Sequence, residues 1–214
     1  MPELSAIIFD LDGTLVESQG HWRAAEARLC ERLGGAYDPA LAQTYQGMRA
    51  RDVGQAIHSH FKPADLSAEA CGEILRREVI KAPLVEIVTM PHADQILARV
   101  QSMFQLAIAS GSPRELILKI LARFGWTDYF ACVVSSEEVA CGKPAPDVFL
   151  EAAARLQCNP AHCLVIEDSL NGVRAAKRAG MSCFAVCTVD NPELTTLADG
   201  LYPTLGELLL DIRK

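Results

Sequence analysis

A chain of 214 residues, half of them hydrophobic, exceeds the commonest single-domain size, so one large domain or one domain with an insert is expected. Its formal charge of −7 and pI near 5.2 argue against non-specific binding to nucleic acid or anionic membranes, which attract proteins through clustered Lys and Arg. The eight cysteines (30, 71, 132, 141, 158, 163, 183 and 187) form no Cys-x-x-Cys pair and none lies near a histidine pair at zinc spacing, a pattern expected of reduced, mostly buried thiols in a cytoplasmic protein.

The first element is "AIIF", Ala6 to Phe9, a continuous apolar run that stops at Asp10. With no basic region before it and no long uncharged apolar stretch elsewhere, neither a targeting segment nor a membrane span is expected. From about Glu17 to Val88 the chain is rich in Ala, Arg, Glu and Leu at helical spacing, as in "HWRAAEARLCERLGG" and "SAEACGEILRREVI", and has no convincing strand. A helical unit inserted after the first strand suits a lid over a site at the sheet edge. The division expected is a core of residues 1–16 and 88–214 and a helical cap of residues 17–87.

Beyond the insert, short apolar runs recur: "FQLAIAS" from Phe104, "CVVSS" from Cys132, "CLVIED" from Cys163 and "CFAV" from Cys183. Unbroken apolarity predicts strands covered on both faces. Between them, "SPRELILKILARFG" carries a Ser N-cap, a proline at the first helical position and a closing glycine, while "APDVFLEAAARLQ" and "SLNGVRAAKRAG" also read as helices. The alternation predicts an α/β fold, a doubly wound, Rossmann-like parallel sheet whose ligand crevice lies beyond the carboxyl ends of the strands.

Polar residues gather at those ends. The first strand is followed by Asp10 and Asp12, which face the same side if the chain is still extended. The second is followed by Ser110-Gly111-Ser112, where the glycine allows close backbone approach and the next helix offers free N–H groups to an anion. The third leads to "CGKPAPD", a stiff loop presenting Lys143, and the fourth to Glu167-Asp168-Ser169. Two unit charges about 4 Å apart repel by roughly 4 kcal/mol at an effective dielectric of 20, so four carboxylates with one lysine call for a divalent cation. With oxygen donors only, and no His or Cys at these strand ends, Mg²⁺ fits better than Zn²⁺.

The order D10-L-D-G-T14, Ser110, Lys143, E167-D168 resembles the haloacid dehalogenase-like hydrolase superfamily. "GKPAPDVF" and "VIEDSLNGVRAAKRAGM" are similar to its helical-cap subgroup of sugar-phosphate phosphatases, phosphoglycolate phosphatase and β-phosphoglucomutase. The resemblance implies a Mg²⁺-dependent phosphatase of a small phosphorylated metabolite, with Asp10 as nucleophile forming an aspartyl-phosphate and Asp12 as general acid and base. It also implies Lys143 holding Asp10 to a phosphate oxygen, and Ser110 with the Gly111 amide cradling the phosphate. The metal would be held by Asp10, the Asp12 main-chain carbonyl and Asp168, with Glu167 reaching it through water.

Within the subgroup, the mutase has a histidine twelve residues after the nucleophile. Here Trp22 stands there, with His21 one step before, which favours a phosphatase and keeps the mutase as the alternative. Trp22 either contacts substrate or packs on the inner face of the cap. Gly47, in "YQGMRARD", sits where a cap loop dips toward the substrate, and Arg49 or Arg51 could meet a hydroxyl or a second anion. His58 and His60 are too poorly spaced for a metal site. Retention of Asp12 argues against carbon–halogen chemistry, and retention of every charged group argues against a non-catalytic scaffold. A monomer is expected.

Overall fold

The computed structural model describes residues 4–187 and 192–212. Strand β1 (Ala6–Phe9) is buried on both faces. Ile7 and Phe9 point into one apolar layer and Ala6 and Ile8 into the other, as the period-2 geometry of a strand requires. The chain then turns sharply: the Gly13 amide donates to the Val16 carbonyl at 2.7 Å, and Gly13 holds φ +87°. It leaves the sheet through a two-residue strand, β2 (Val16–Glu17).

Four helices follow: α1 (Gln19–Arg32), α2 (Pro39–Tyr45), α3 (Ala50–Phe61) and α4 (Ala68–Lys81). Helices α3 and α4 meet backbone to backbone at Gly54 and Gly72, where a Cβ on Gly54 would stand 2.3 Å from the Gly72 nitrogen. The chain returns through β3 (Val88–Thr89), antiparallel to β2. This pair was not expected, because two-residue strands leave no readable apolar pattern.

The remaining elements alternate: α5 (Ala93–Val100), β4 (Gln105–Ser110), α6 (Arg114–Phe124), β5 (Cys132–Ser135), α7 (Asp147–Arg155), β6 (Cys163–Glu167), α8 (Leu170–Arg178), β7 (Ser182–Val186), α9 (Pro192–Leu197), β8 (Gly200–Tyr202) and α10 (Leu205–Asp211). Six strands form one parallel sheet in the order β5-β4-β1-β6-β7-β8. The predicted α/β class and the five apolar strands are all present; β8, short and half-exposed, was not predicted. Helices α5, α6 and α10 cover one face, and α7, α8 and α9 cover the other. Ala25, Leu29, Val53, Ile57, Leu75 and Val79 of the inserted helices join the first layer.

Helix α6 starts one residue later than its Ser-Pro signal predicts. Pro113, at φ −54° and ψ 138°, is the N-cap, because the Ser112 hydroxyl is drawn to a charged acceptor, Oδ2 of Asp12 at 2.6 Å. The other stop and start signals hold: Gly125 closes α6 at φ +70°, and the Ser169 hydroxyl accepts from the Gly172 amide to cap α8. Sheet order reverses around β1, with β4 on one side and β6 on the other, which opens the crevice of such a sheet at the end of β1. Asp10 is the next residue.

Candidate active site

Lys143 is 1% exposed. Its Nζ donates to Asp10 Oδ1 at 2.6 Å and to Glu167 Oε1 at 2.7 Å and lies 4.8 Å from the centre of the Phe149 ring. Burial works against the ammonium, but the two carboxylates outweigh it and hold the Lys143 pKa above its ordinary value. The carboxyl of Asp10 is pushed well up, chiefly by burial and then by Glu167 and Asp12 against the pull of Lys143. Asp168 is pushed up in the same direction by burial and by the Glu167 and Asp10 charges. One lysine does not neutralise this group.

Carboxylate oxygens of Asp10, Glu167 and Asp168 lie within 4.8 Å of one another. Glu167 is already engaged: Oε1 takes Lys143, and Oε2 takes the Asp168 and Ser169 amides and the Ser169 hydroxyl at 2.8, 2.8 and 2.9 Å. Asp10 and Asp168 are therefore the acids with oxygens to spare. Asp168 Oδ2 accepts one bond, from Gln46 Nε2 at 3.2 Å. It lies where a Cβ on Gly13 would stand, 2.1 Å away, so the glycine turn makes room for this carboxylate. Oxygen donors at a charge-rich corner suit a hard divalent cation.

Asp12 has a different environment. Its carboxylate takes four side-chain donors: Ser18 Oγ at 2.6 Å and Trp22 Nε1 at 3.2 Å on Oδ1, Ser112 Oγ at 2.6 Å and Ser110 Oγ at 3.2 Å on Oδ2. Asp12 is not one of the three acids whose oxygens cluster, although its charge still acts on Asp10 and Asp168. Ser110 also accepts the Ser112 amide at 3.0 Å. Ser18 and Ser112 escaped the sequence reading, since lone serines beside a helix start look like caps.

Asp10 and Asp12 open onto a cavity of about 330 Å³ between the sheet and the inserted helices, also lined by Trp22, Gly47, Gly111 and Ser112. Gly47 holds φ +79°, and its absent Cβ would lie 2.4 Å from Ser169 Oγ. The Gly47 and Met48 carbonyls approach so closely that a Cβ on Gly111 would stand 2.9 Å from each. Asn171 Nδ2 fastens this loop by donating to the Gln46 carbonyl at 2.9 Å.

Arg49 does not face the cavity. Its guanidinium donates to Asp52 Oδ2 at 3.0 Å and to the carbonyls of Ser136, Val139 and Ala140 at 3.1 Å each, so it ties α3 to the loop after β5. Arg51 is exposed and also off the cavity wall. His21 is 3% exposed, its Nε2 2.7 Å from the Val79 carbonyl, and it does not line the cavity; the residue that would have favoured a mutase is a strut between α1 and α4. His58 Nε2 meets the Leu66 carbonyl at 3.0 Å and His60 packs on Phe61.

Among the described residues no helix is long and apolar enough to cross a membrane. A profile of haloacid dehalogenase-like hydrolases matches residues 4–180. The validoxylamine A 7'-phosphate phosphatase of Streptomyces hygroscopicus subsp. limoneus is 30% identical over 202 residues, covering 94% of each chain. The fructose-1-phosphate phosphatase YqaB of Escherichia coli (strain K12) is 31% identical over 190 residues, 85% of this chain and 96% of that one. The β-phosphoglucomutase of Clostridium difficile shares the fold, with TM-score 0.84 at 22% identity over 96% of this chain and 93% of that one. A CbbY mutant from Rhodobacter sphaeroides in complex with xylulose-(1,5)bisphosphate has TM-score 0.78 at 25% identity, covering 96% of both. The chain is a phosphatase and belongs to the haloacid dehalogenase-like hydrolase family.

Proposed function

We propose that the protein hydrolyses the phosphate monoester of a small sugar or polyol, with Asp10 as nucleophile and Asp12 as general acid and base. The observation that carries this reading is the contrast between two acids of one turn: Asp10 bonds an ammonium beside two further carboxylates, whereas Asp12 bonds only hydroxyls and an indole. The Lys143 ammonium and a cation at the acidic corner would keep Asp10 ionised for attack, while Asp12, bonded to neither, is placed to exchange a proton with the leaving group and then with water.

In the first half-reaction an Asp10 oxygen bonds to phosphorus as the ester P–O bond breaks, and the protonated Asp12 carboxyl delivers its proton to the departing alkoxide. In the second, Asp12 takes a proton from water as that water attacks phosphorus, releasing Asp10 and inorganic phosphate. Lys143 holds Asp10 and a phosphate oxygen together, and Ser110 with the Gly111 amide receives the phosphate. A Mg²⁺ held by Asp10, Asp168 and the Asp12 main-chain carbonyl would supply charge neutralisation to the transferring phosphoryl group.

Residues 17–87 act as a cap over a core of residues 1–16 and 88–214. The fructose 1-phosphate in the name of one curated relative supports the choice of a sugar or polyol. A cytoplasmic location suits the Cys30 and Cys71 thiols, pushed up by burial. A monomer suits the scatter of exposed apolar side chains over separate elements, as at Val85, Leu118, Leu150 and Leu210. The test is release of phosphate from phenyl phosphate in the presence of Mg²⁺. Wild type is expected to be active and Asp10→Asn inactive; activity that survives the substitution overturns the mechanism.

A further inference from the structure

The inner end of the cavity is lined by Glu26 with Arg23, Tyr37 and Tyr45, to which the reaction gives no step. Ser18, Trp22 and Glu26 lie four residues apart along α1, so they stack on one face of it. The first two bond to Asp12, and Glu26 stands one turn deeper, about 6 Å further along the axis. Arg23, Tyr37 and Tyr45 line the same cavity around Glu26.

Glu26 is only 6% exposed. Oε2 accepts the Tyr45 hydroxyl at 3.2 Å, and among the described residues Oε1 has no hydrogen-bond partner. Arg23, the sole cation on the cavity wall among the described residues, lies near enough to Glu26 and to the Tyr37 hydroxyl to favour the charged form of each. Oε1 is not one of the fully buried side-chain atoms that lack a partner, so it opens onto the cavity that Glu26 lines, where a ligand's donor can reach it, while burial of the rest of the carboxylate is costly to the fold. Helix packing alone gives no reason to keep it there.

We infer that Glu26, with Tyr45 and Arg23, is the specificity-determining site for the far end of the substrate, and that this end is uncharged and carries hydroxyls that donate to Glu26. A carboxylate accepts from hydroxyls and repels a second phosphate or a carboxylate. With one guanidinium beside it and no other cation on the wall, the inner end is not an anion site. The substrate class is a monophosphate of a hexose-sized polyol or sugar, not a bisphosphate and not a short phosphorylated acid. A cavity of about 330 Å³ lies at the small end of the range for ligand pockets, about 300–1,000 Å³. This deepens the phosphatase reading and rests on it for the place of the phosphate.

The experiment measures equilibrium binding, so that it does not depend on turnover. At pH 8, where Glu26 is ionised in the fold, Asp10→Asn protein with Mg²⁺ is titrated with sorbitol 6-phosphate, phenyl phosphate and fructose 1,6-bisphosphate, alone and in combination with Glu26→Gln or Glu26→Leu. Sorbitol 6-phosphate is expected to bind at least about tenfold more tightly than the bisphosphate, with the Kd ratio of phenyl phosphate to sorbitol 6-phosphate falling about tenfold in both Glu26 variants. The isosteric Gln variant keeps the result readable if Leu does not fold. A ratio unmoved by either substitution, or a bisphosphate bound as tightly as the monophosphate, overturns the inference. Failure of the phosphatase reading would show instead as turnover that survives Asp10→Asn.

Discussion

The indole N–H of Trp22 donates to Oδ1 of Asp12 at 3.2 Å, so a side chain of the inserted helices holds an acid of the sheet. Displacement of those helices releases Trp22, and with the N-cap of α1 also Ser18, from the carboxylate assigned to proton transfer. Trp22→Phe keeps the ring and removes the N–H. With Ser18, Ser110 and Ser112 still in place, kcat on phenyl phosphate is expected to fall about 3- to 10-fold, the worth of one hydrogen bond, with the fold intact by circular dichroism. A fall confined to KM would show that Trp22 serves binding and not the placement of Asp12.

Arg49 joins the helices to the core at the other side of the crevice, through three carbonyls and Asp52. Arg49→Ala leaves the part-buried Ser136 and Val139 carbonyls short of a charged donor, a loss of about 2–3 kcal/mol. For a chain of this length that corresponds to a Tm lower by about 5–10 °C. Arg49→Lys is expected to recover less than half, because a single ammonium cannot reproduce the planar fork that spans these acceptors. Thermal denaturation of both variants checks this, and full rescue by lysine would contradict it.

The sequence carried the fold further than it carried the site's detail. Unbroken apolar runs marked β1, β4, β5, β6 and β7, since burial on both faces of a parallel sheet leaves its mark on every residue of a strand. It left β8 invisible, because Gly200–Tyr202 at the sheet edge is half-exposed. Asp10, Lys143 and Asp168 were legible as charges that had no structural reason to follow apolar strands. Arg49 was misplaced because its spacing from Gly47 says where the loop bends but not which way a long side chain leaves it. Glu26 was missed for want of a partner in view: its neighbours Tyr37 and Tyr45 come from α2 and the loop before it. The signal was present as Ser18, Trp22 and Glu26 at four-residue spacing, a polar stripe that runs along the buried face of α1 beside Ala25 and Leu29.

The raised carboxyls at Asp10 and Asp168 set the pH dependence of metal binding. Both acids bind protons more tightly in the fold than their ordinary values, through burial and the Glu167 charge beside them, and a proton there competes with a cation. Millimolar Mg²⁺ is expected to raise Tm at pH 8, by about 2.7 kcal/mol of stabilisation if its concentration is a hundredfold above Kd. The rise should shrink as pH falls toward 5. Scanning calorimetry with and without Mg²⁺ at both pH values tests it; an equal rise at the two would place the cation away from these acids.

Glu26 makes a separate and opposite use of burial. Its carboxyl is pushed up to about 7 from an ordinary 4.5, chiefly by burial, with the Tyr45 bond and the Arg23 charge opposing. Tyr37, Tyr45 and Cys30, which face it, are themselves pushed up by burial and by the Glu26 charge and do not titrate between pH 5 and 8. From pH 4.5 to 7 the unfolded chain gives up the Glu26 proton while the folded chain keeps it, so the folded state binds more protons and stability falls as pH rises. At about 1.4 kcal/mol per pH unit, the gap corresponds to about 3 kcal/mol, complete near pH 7. Glu26→Gln removes this one titration. It is expected to match wild type in stability near pH 4.5 and to exceed it by up to about 3 kcal/mol at pH 8, read from urea unfolding of the two proteins at each pH. The same substitution weakens polyol phosphates in the cavity, so a protein that gains stability while losing substrate preference would identify Glu26 as a group kept for binding at the expense of the fold. A variant no more stable than wild type at pH 8 would mean that the carboxylate is already satisfied without substrate.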